Sequence, residues 1–186
     1  MPIVPVKLIA NEREVTTYAM LDSCSTGTFI LEDVRRELQI EGTDTNVLVN
    51  TMNGSQVHQP KVVTGLTVTD IDGNNRGTLP RTFSQDTIPA SKDEIPTEEL
   101  VAKWKHLSKI ELSSYLPEVK IGILIGSNSP KAIEPKDFIV SEDGGPFAVK
   151  TFAGWTVVGS RPRSDVQTNV SCNRTLVEEI VPEKPI

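Results

Sequence analysis

Short runs of β-branched and apolar residues, separated by turn residues, set the pattern of this chain. Residues 3–9, Ile-Val-Pro-Val-Lys-Leu-Ile, and the run from Val15 to Leu21 flank the polar, turn-like Ala10-Asn-Glu-Arg-Glu14, which predicts a β-hairpin. The second strand of that hairpin delivers Asp22. From Leu31 to Leu38 the period changes. Leu31, Val34 and Leu38 recur at helical spacing, and Glu32 and Asp33 lie where the helix dipole favours acids, so a short amphipathic helix is expected before Gly42.

Thr45 to Val49 and Val57 to Val68 both read as strand, and Asn53-Gly54 between them is a strong hairpin signal. Asp72-Gly73 and Asn74-Asn75 mark another turn, after which Gly77 to Phe83 is expected to return as a strand. Between Thr87 and Pro117 the β pattern is interrupted by Pro89, Pro96, Pro117 and several charges. Within it Thr97 is a good N-cap, Glu98 and Glu99 occupy the first turn, and Leu100, Val101 and Trp104 share a face. An inserted, partly helical segment over 87–117, laid on a β domain, is the expectation.

Ile121-Gly-Ile-Leu-Ile-Gly126 is apolar enough to be a strand buried on both faces, and Ser129 to Ile133 predicts a short helix with Pro130 near its first turn. Lys136 to Val140 and Phe147 to Phe152 are expected to pair across Glu142-Asp-Gly-Gly145, with Gly154 to Gly159 as a further strand. After Ser160 the chain turns polar, which predicts a mobile tail over 161–186 following one mostly-β domain over 1–160.

Composition narrows the class without changing this picture. At 186 residues, 37% hydrophobic and 24% charged, the chain can bury a core as one globular domain with an extension. A net charge of −6 argues against a sequence-independent phosphate-binding surface, so no direct nucleic-acid binding is expected. No apolar run approaches the roughly 18 residues that span a bilayer, and Met-Pro-Ile-Val-Pro lacks the features of a signal peptide, so the expected compartment is the cytoplasm, with no membrane contact. Cys24 and Cys172 are too few and too far apart for a disulfide framework or a cysteine zinc site. His58 and His106 are isolated, so neither a metal nor another cofactor is expected. Lys61, Arg76 and Arg81 read as solvated surface, and Trp104 as packing.

The chemistry concentrates in Leu21-Asp-Ser-Cys-Ser-Thr-Gly-Thr-Phe-Ile30, where one carboxylate ends an apolar strand among small hydroxyl residues. On the residues alone, Asp22 is also what an ordinary strand-end turn residue looks like, and Gly126 an ordinary strand terminus. Taken with Ile123-Leu-Ile-Gly126, the segment resembles retropepsin-like aspartic proteases, in which an Asp-Ser/Thr-Gly loop is followed later by two apolar residues and a glycine. More closely, the chain resembles the peptidase of Pao/BEL-type retrotransposon polyproteins from about Pro5 to Gly159. The resemblance is carried also by Gly65-Leu-Thr-Val68, Trp104-Lys-His-Leu107, Ala132-Ile-Glu-Pro135 and Ala148-Val-Lys-Thr-Phe-Ala-Gly-Trp155.

That resemblance implies a retropepsin-like acid protease β-barrel with a short helix after the catalytic loop. It implies an aspartic endopeptidase that processes a retroelement polyprotein. Two Asp22 carboxylates from a homodimer would share one site, because like charges so close cannot both ionise. Ser23 would grip across the dimer axis, Gly126 would pack behind Asp22, and the hairpin around Met52, Asn53 and Gly54 would be the flap over a bound peptide. Cys24 departs from the pattern by standing where the motif has glycine. Thr26 and Ser127 stand where retroviral members often carry an acid and an arginine. The implied alternative is a catalytically inactive module of the same fold that binds peptides or dimerises. With the acid and arginine absent from Thr26 and Ser127, dimer cohesion would come from elsewhere, with Phe147 to Val158 as the candidate region.

Overall fold

The structure, a computed structural model, describes residues 1–159 and 175–180. The alternating apolar pattern builds the first hairpin as expected. Strands β1 (Ile3–Ala10) and β2 (Arg13–Asp22) pair antiparallel from Ile3 opposite Met20 to Ala10 opposite Arg13. Their turn is only Asn11-Glu12, and both residues take positive φ, which matches the twist of tight hairpin loops. The Asp22 loop leads into β3 (Thr28–Leu31) and α1 (Glu32–Glu37), whose Glu32 accepts from Arg35 and Arg36 side chains.

The middle of the chain is more broken than its sequence suggests. After β4 (Thr43–Asp44) and β5 (Val47–Thr51), the expected strand from Val57 to Val68 is divided among β6 (Gly54–His58), β7 (Lys61–Val63) and β8 (Thr67–Thr69). Pro60, which has no amide hydrogen, falls at one break and Gly65, with φ of 76°, at the other. Gly77 to Phe83 likewise divides at Pro80 into β9 (Arg76–Thr78) and β10 (Thr82–Gln85). The inserted segment holds α2 (Glu98–Ala102), capped by the Thr97 hydroxyl, between 3₁₀ turns at Lys92–Glu94 and Lys105–Leu107. Then follow β11 (Ile121–Gly126), α3 (Pro130–Ile133), β12 (Asp137–Ile139), β13 (Phe147–Thr151) and β14 (Gly154–Val158), close to the expected bounds.

One difference falls in the segment expected to be a mobile tail. Leu176–Glu179 form a strand, β15, laid antiparallel on β5; an apolar pair followed by two acids is too short a run to announce a strand without its partner. The rest of the tail lies outside the described residues.

Among the described residues the fold is mostly β, with 44% strand and 13% helix. Nine strands form one sheet in the order β4-β7-β10-β3-β11-β2-β1-β8-β9; β12-β13-β14 and β15-β5-β6 form two smaller ones. β11 therefore lies between β2 and β3, parallel to the first and antiparallel to the second, although β2 and β3 are successive in the chain. Side chains alternate across these central strands. Ala19, Leu21, Ile123 and Ile125 enter one core with Val4, Val6, Ile30, Val34 and Leu38, while Tyr18, Met20, Ile121 and Leu124 enter a second with Phe29 and Phe83. Each such side chain contributes on the order of 1.5–3 kcal/mol when fully buried, so the strand before Asp22 and the strand before Gly126 are held from both faces.

Residues 87–117 pack in part on one of the two smaller sheets, in the C-terminal half. Val101, Leu107 and Ile110 form a third cluster with Ala148 and Val157, covering the sheet of β12 to β14. That sheet is tied to the large one through Thr156, whose hydroxyl donates to the Ile3 carbonyl (2.8 Å) and accepts from the Ile3 amide (3.3 Å). Among the described residues no helix is long and apolar enough to cross a membrane.

Candidate active site

Asp22 is the last residue of β2 and is 2% exposed. Its register partner on β11 is Gly126. The Cys24 amide donates to the Asp22 carboxylate Oδ1 at 2.9 Å, and the Ser25 amide donates to the Asp22 carbonyl at 3.2 Å, which turns the chain sharply after the carboxylate. Burial pushes the Asp22 pKa above its ordinary value of 3.8, against the pull of the Cys24 and Ser25 amides and the N-terminal ammonium. A carboxyl so placed is suited to holding a proton, and among the described residues no second acid hydrogen-bonds to it.

The loop is supported from behind by the end of β11. A Cβ on Gly126 would lie 2.2 Å from the Gly27 carbonyl oxygen and 2.7 Å from that of Ser25, so only glycine permits the approach. The Gly126 amide donates to the Thr28 hydroxyl (3.2 Å), and the Thr28 hydroxyl donates to Asn128 Oδ1 (2.7 Å). Ser127 donates both its amide (2.7 Å) and its hydroxyl (2.9 Å) to the Ser25 carbonyl, and the Ser25 hydroxyl donates to the Gly27 carbonyl (2.8 Å). Ser25, Thr28 and Asn128 carry no role on sequence grounds, although the density of hydroxyl residues after Asp22 is a signal for them, and Ser127 is noted there only for its position after Gly126. Ser127 bonds directly to the loop backbone.

Ser23 and Cys24 are both exposed, and the Ser23 hydroxyl bonds to no other described residue. Cys24 lies outside the set of positive-φ non-glycine residues, Asn11, Glu12, Gln39 and Asp143, so a side chain at this position imposes no left-handed strain. Its thiol faces outward while its amide serves Asp22.

The β5–β6 hairpin turns through Met52 and Asn53, with Thr51 opposite Gly54 and the positive φ, 124°, on Gly54. The Asn53-Gly54 pair thus sits one residue later than the centre of the turn. The Thr51 hydroxyl donates to the Gly54 carbonyl (3.2 Å) and accepts from the Asn53 amide (3.2 Å), while Met52 at the tip is 70% exposed. Among the described residues neither strand of the hairpin pairs with the Asp22 loop; β15 bridges them, pairing with β5 on one edge and with Ser25, through Thr175, on the other.

Arg81, read as solvated from sequence, pairs with Glu179 of β15, and Lys61 pairs with Asp44 at 2.8 Å. His106 Nε2 lies 2.8 Å from the Pro146 carbonyl, a packing role beside Trp104. Among the described residues no group of three or more His, Cys, Asp or Glu side chains converges as a metal site would require. A surface cavity opens between β9 and α3, beside Asn75, Arg76, Lys131 and Glu134, and no residue of the Asp22 loop lines it. Comparison of the chain with protein-family models, with curated proteins and with solved structures returns no match.

Proposed function

We propose that this chain is one half of an aspartic endopeptidase of the retropepsin type, which cleaves extended peptides such as the segments of a retroelement polyprotein. The observation that carries the reading is the locked pair of Asp22 and Gly126, with a buried carboxyl on a loop backed by a glycine that nothing larger can replace. The strand order, with β11 between β2 and β3, supports it by setting the second sequence element directly behind the first.

The chemistry needs two carboxyls sharing a proton. One chain supplies one, so a second Asp22 comes from a second copy across a twofold axis, and Ser23, exposed and without a partner among the described residues, would meet that copy. The ionised carboxylate takes a proton from water as the water oxygen bonds to the scissile carbonyl carbon. The protonated carboxyl hydrogen-bonds the carbonyl oxygen as charge develops there, and collapse of the tetrahedral adduct expels the amine with a proton. The pair titrates as a unit rather than as two independent groups.

Incubation with a peptide library tests this directly. Cleavage that is blocked by pepstatin-type inhibitors and lost in Asp22→Asn is the expected result; no cleavage at any pH between 4 and 7 overturns it. A second reading, a non-catalytic peptide-binding or dimerisation module, is favoured by one observation: at 2% exposure Asp22 is closed to water and substrate in the single chain.

A further inference from the structure

Thr175 and the strand that follows it fill the space between the Asp22 loop and the β5–β6 hairpin. The Thr175 amide donates to the Cys24 carbonyl (3.1 Å), and the Thr175 carbonyl accepts from the Thr26 amide (2.9 Å). These two main-chain bonds set Thr175 beside Ser25 in a parallel bridge. The Val177 amide donates to the Thr26 hydroxyl (2.9 Å), and Val177 packs onto Gly27 so closely that a Cβ there would stand 2.9 Å from its Cγ2. On the other edge the same strand pairs antiparallel with β5, from Leu176 opposite Asn50 to Glu179 opposite Val47. The far end is pinned as well. Glu179 accepts from the Arg81 guanidinium and the Thr45 hydroxyl, and the Ile180 amide donates to the Asn46 carbonyl (2.9 Å).

A strand bonded through its main chain on both edges is held the way an extended peptide is held by strand addition, where backbone bonds supply affinity and side-chain seats supply selectivity. Here the seats are Gly27 for Val177 and Arg81 for Glu179. The residues it bonds, Cys24 and Thr26, follow directly on an Asp22 that is almost wholly covered.

We propose that Thr175–Ile180 is a built-in occupant of the peptide groove, an intramolecular competitor that an extended peptide must displace to engage the Asp22 loop. The inference rests on the reading of that loop as a peptide-binding site. Because the strand runs parallel to Cys24→Gly27, its chain leads away from Asp22 as residue numbers rise. That is the direction of the fragment on the amine side of a cut. The ligand class is accordingly an extended peptide with a small residue at the loop, a β-branched residue two positions on and an acid four positions on. A groove open only part of the time weakens the apparent affinity of an added peptide by the open fraction.

The test uses the full chain carrying Asp22→Asn, so that nothing is cut, and a fluorescent peptide of sequence Thr-Leu-Val-Glu-Glu-Ile read by anisotropy. Val177→Asp, which puts a charge against Gly27, and separately Thr175→Pro, which removes the amide bonded to Cys24, each release the internal strand. Binding at least tenfold tighter in either variant than in the Asp22→Asn parent is expected; unchanged affinity in both overturns the proposal. A peptide with Lys in the fifth position should bind the opened chain at least threefold more weakly, and equal binding overturns the register. Cleavage by the Asp22 chain without any tightening removes this inference and leaves the protease reading. Tightening without cleavage does the reverse.

Discussion

Asp22 and Gly126 are the last register partners of two parallel strands, and the carbonyls of Ser25 and Gly27 lie over Gly126 where a side chain would otherwise begin. The carboxylate is thereby positioned by backbone rather than by flexible side chains, which is what a group working within a few tenths of an ångström requires.

Gly126→Ala forces a Cβ into two carbonyl oxygens, and backbone atoms have no rotamer by which to yield. Overpacking of this kind costs about 1–3 kcal/mol. Urea denaturation is expected to show a lower midpoint with an unchanged slope, and peptide cleavage should fall to background because the loop must move. A wild-type midpoint would mean that the loop is not packed against β11.

Asp22→Asn is expected to abolish cleavage while leaving the chain folded and more stable at neutral pH. The folded-state pKa of Asp22 is raised, so the native chain keeps this proton in a pH range where the unfolded chain has lost it. The residue therefore lowers stability progressively as pH rises from its ordinary value of 3.8 through the folded value. Thermal melts of the two chains should coincide at low pH and separate above that window, the asparagine chain melting higher. The cleavage rate, which needs one proton shared by the pair, is expected to be highest at mildly acidic pH; a rate still rising through pH 8 would contradict the dyad.

Glu32 shows the opposite linkage. Its hydrogen bond to Arg35, aided by the charges of Arg35 and Arg36, lowers its pKa from 4.5 to about 2. The stabilisation is fully present above the unfolded value and is lost as pH falls through the folded one. With the Glu32 side chain 19% exposed, a shift of this size corresponds to about 2–3 kcal/mol. Glu32→Gln should remove most of it at pH 7 and flatten the acid limb of the stability profile between pH 5 and 2.

Cys24 is exposed beside the carboxylate and its side chain carries no structural bond. Iodoacetamide is expected to modify it in the folded chain, and the added bulk next to the groove should reduce both cleavage and peptide binding without shifting the melting temperature. The activity of Cys24→Ser should be unaffected by the reagent even though Cys172 remains in the chain. Unchanged activity after complete alkylation would place the thiol outside the groove.

The elements most legible in the sequence are those with an uninterrupted pattern. Ile121 to Gly126 reads as a doubly buried strand because no polar residue breaks it, and its bounds agree with the structure. The first hairpin and the helix after Leu31 follow from period alone. Val57 to Val68 was less legible, since Pro60 and Gly65 act on hydrogen bonding and φ and outweigh a continuous run of strand formers. Arg81 had no local partner; Glu179 reaches it only because β15 lies along β5.

The amino-acid sequence by itself determined which residues form strands, where the chain turns and that one carboxylate follows an apolar strand among small residues, because all of these depend on neighbours within a few positions. Only the tertiary structure decided that β11 enters between β2 and β3, that Ser127 and Thr28 tie the loop from behind, and that Thr175 to Ile180 lie between the Asp22 loop and β5. Strand addition uses main-chain groups that every residue carries, so the choice of partner leaves no mark in the local sequence and emerges only when distant segments pack.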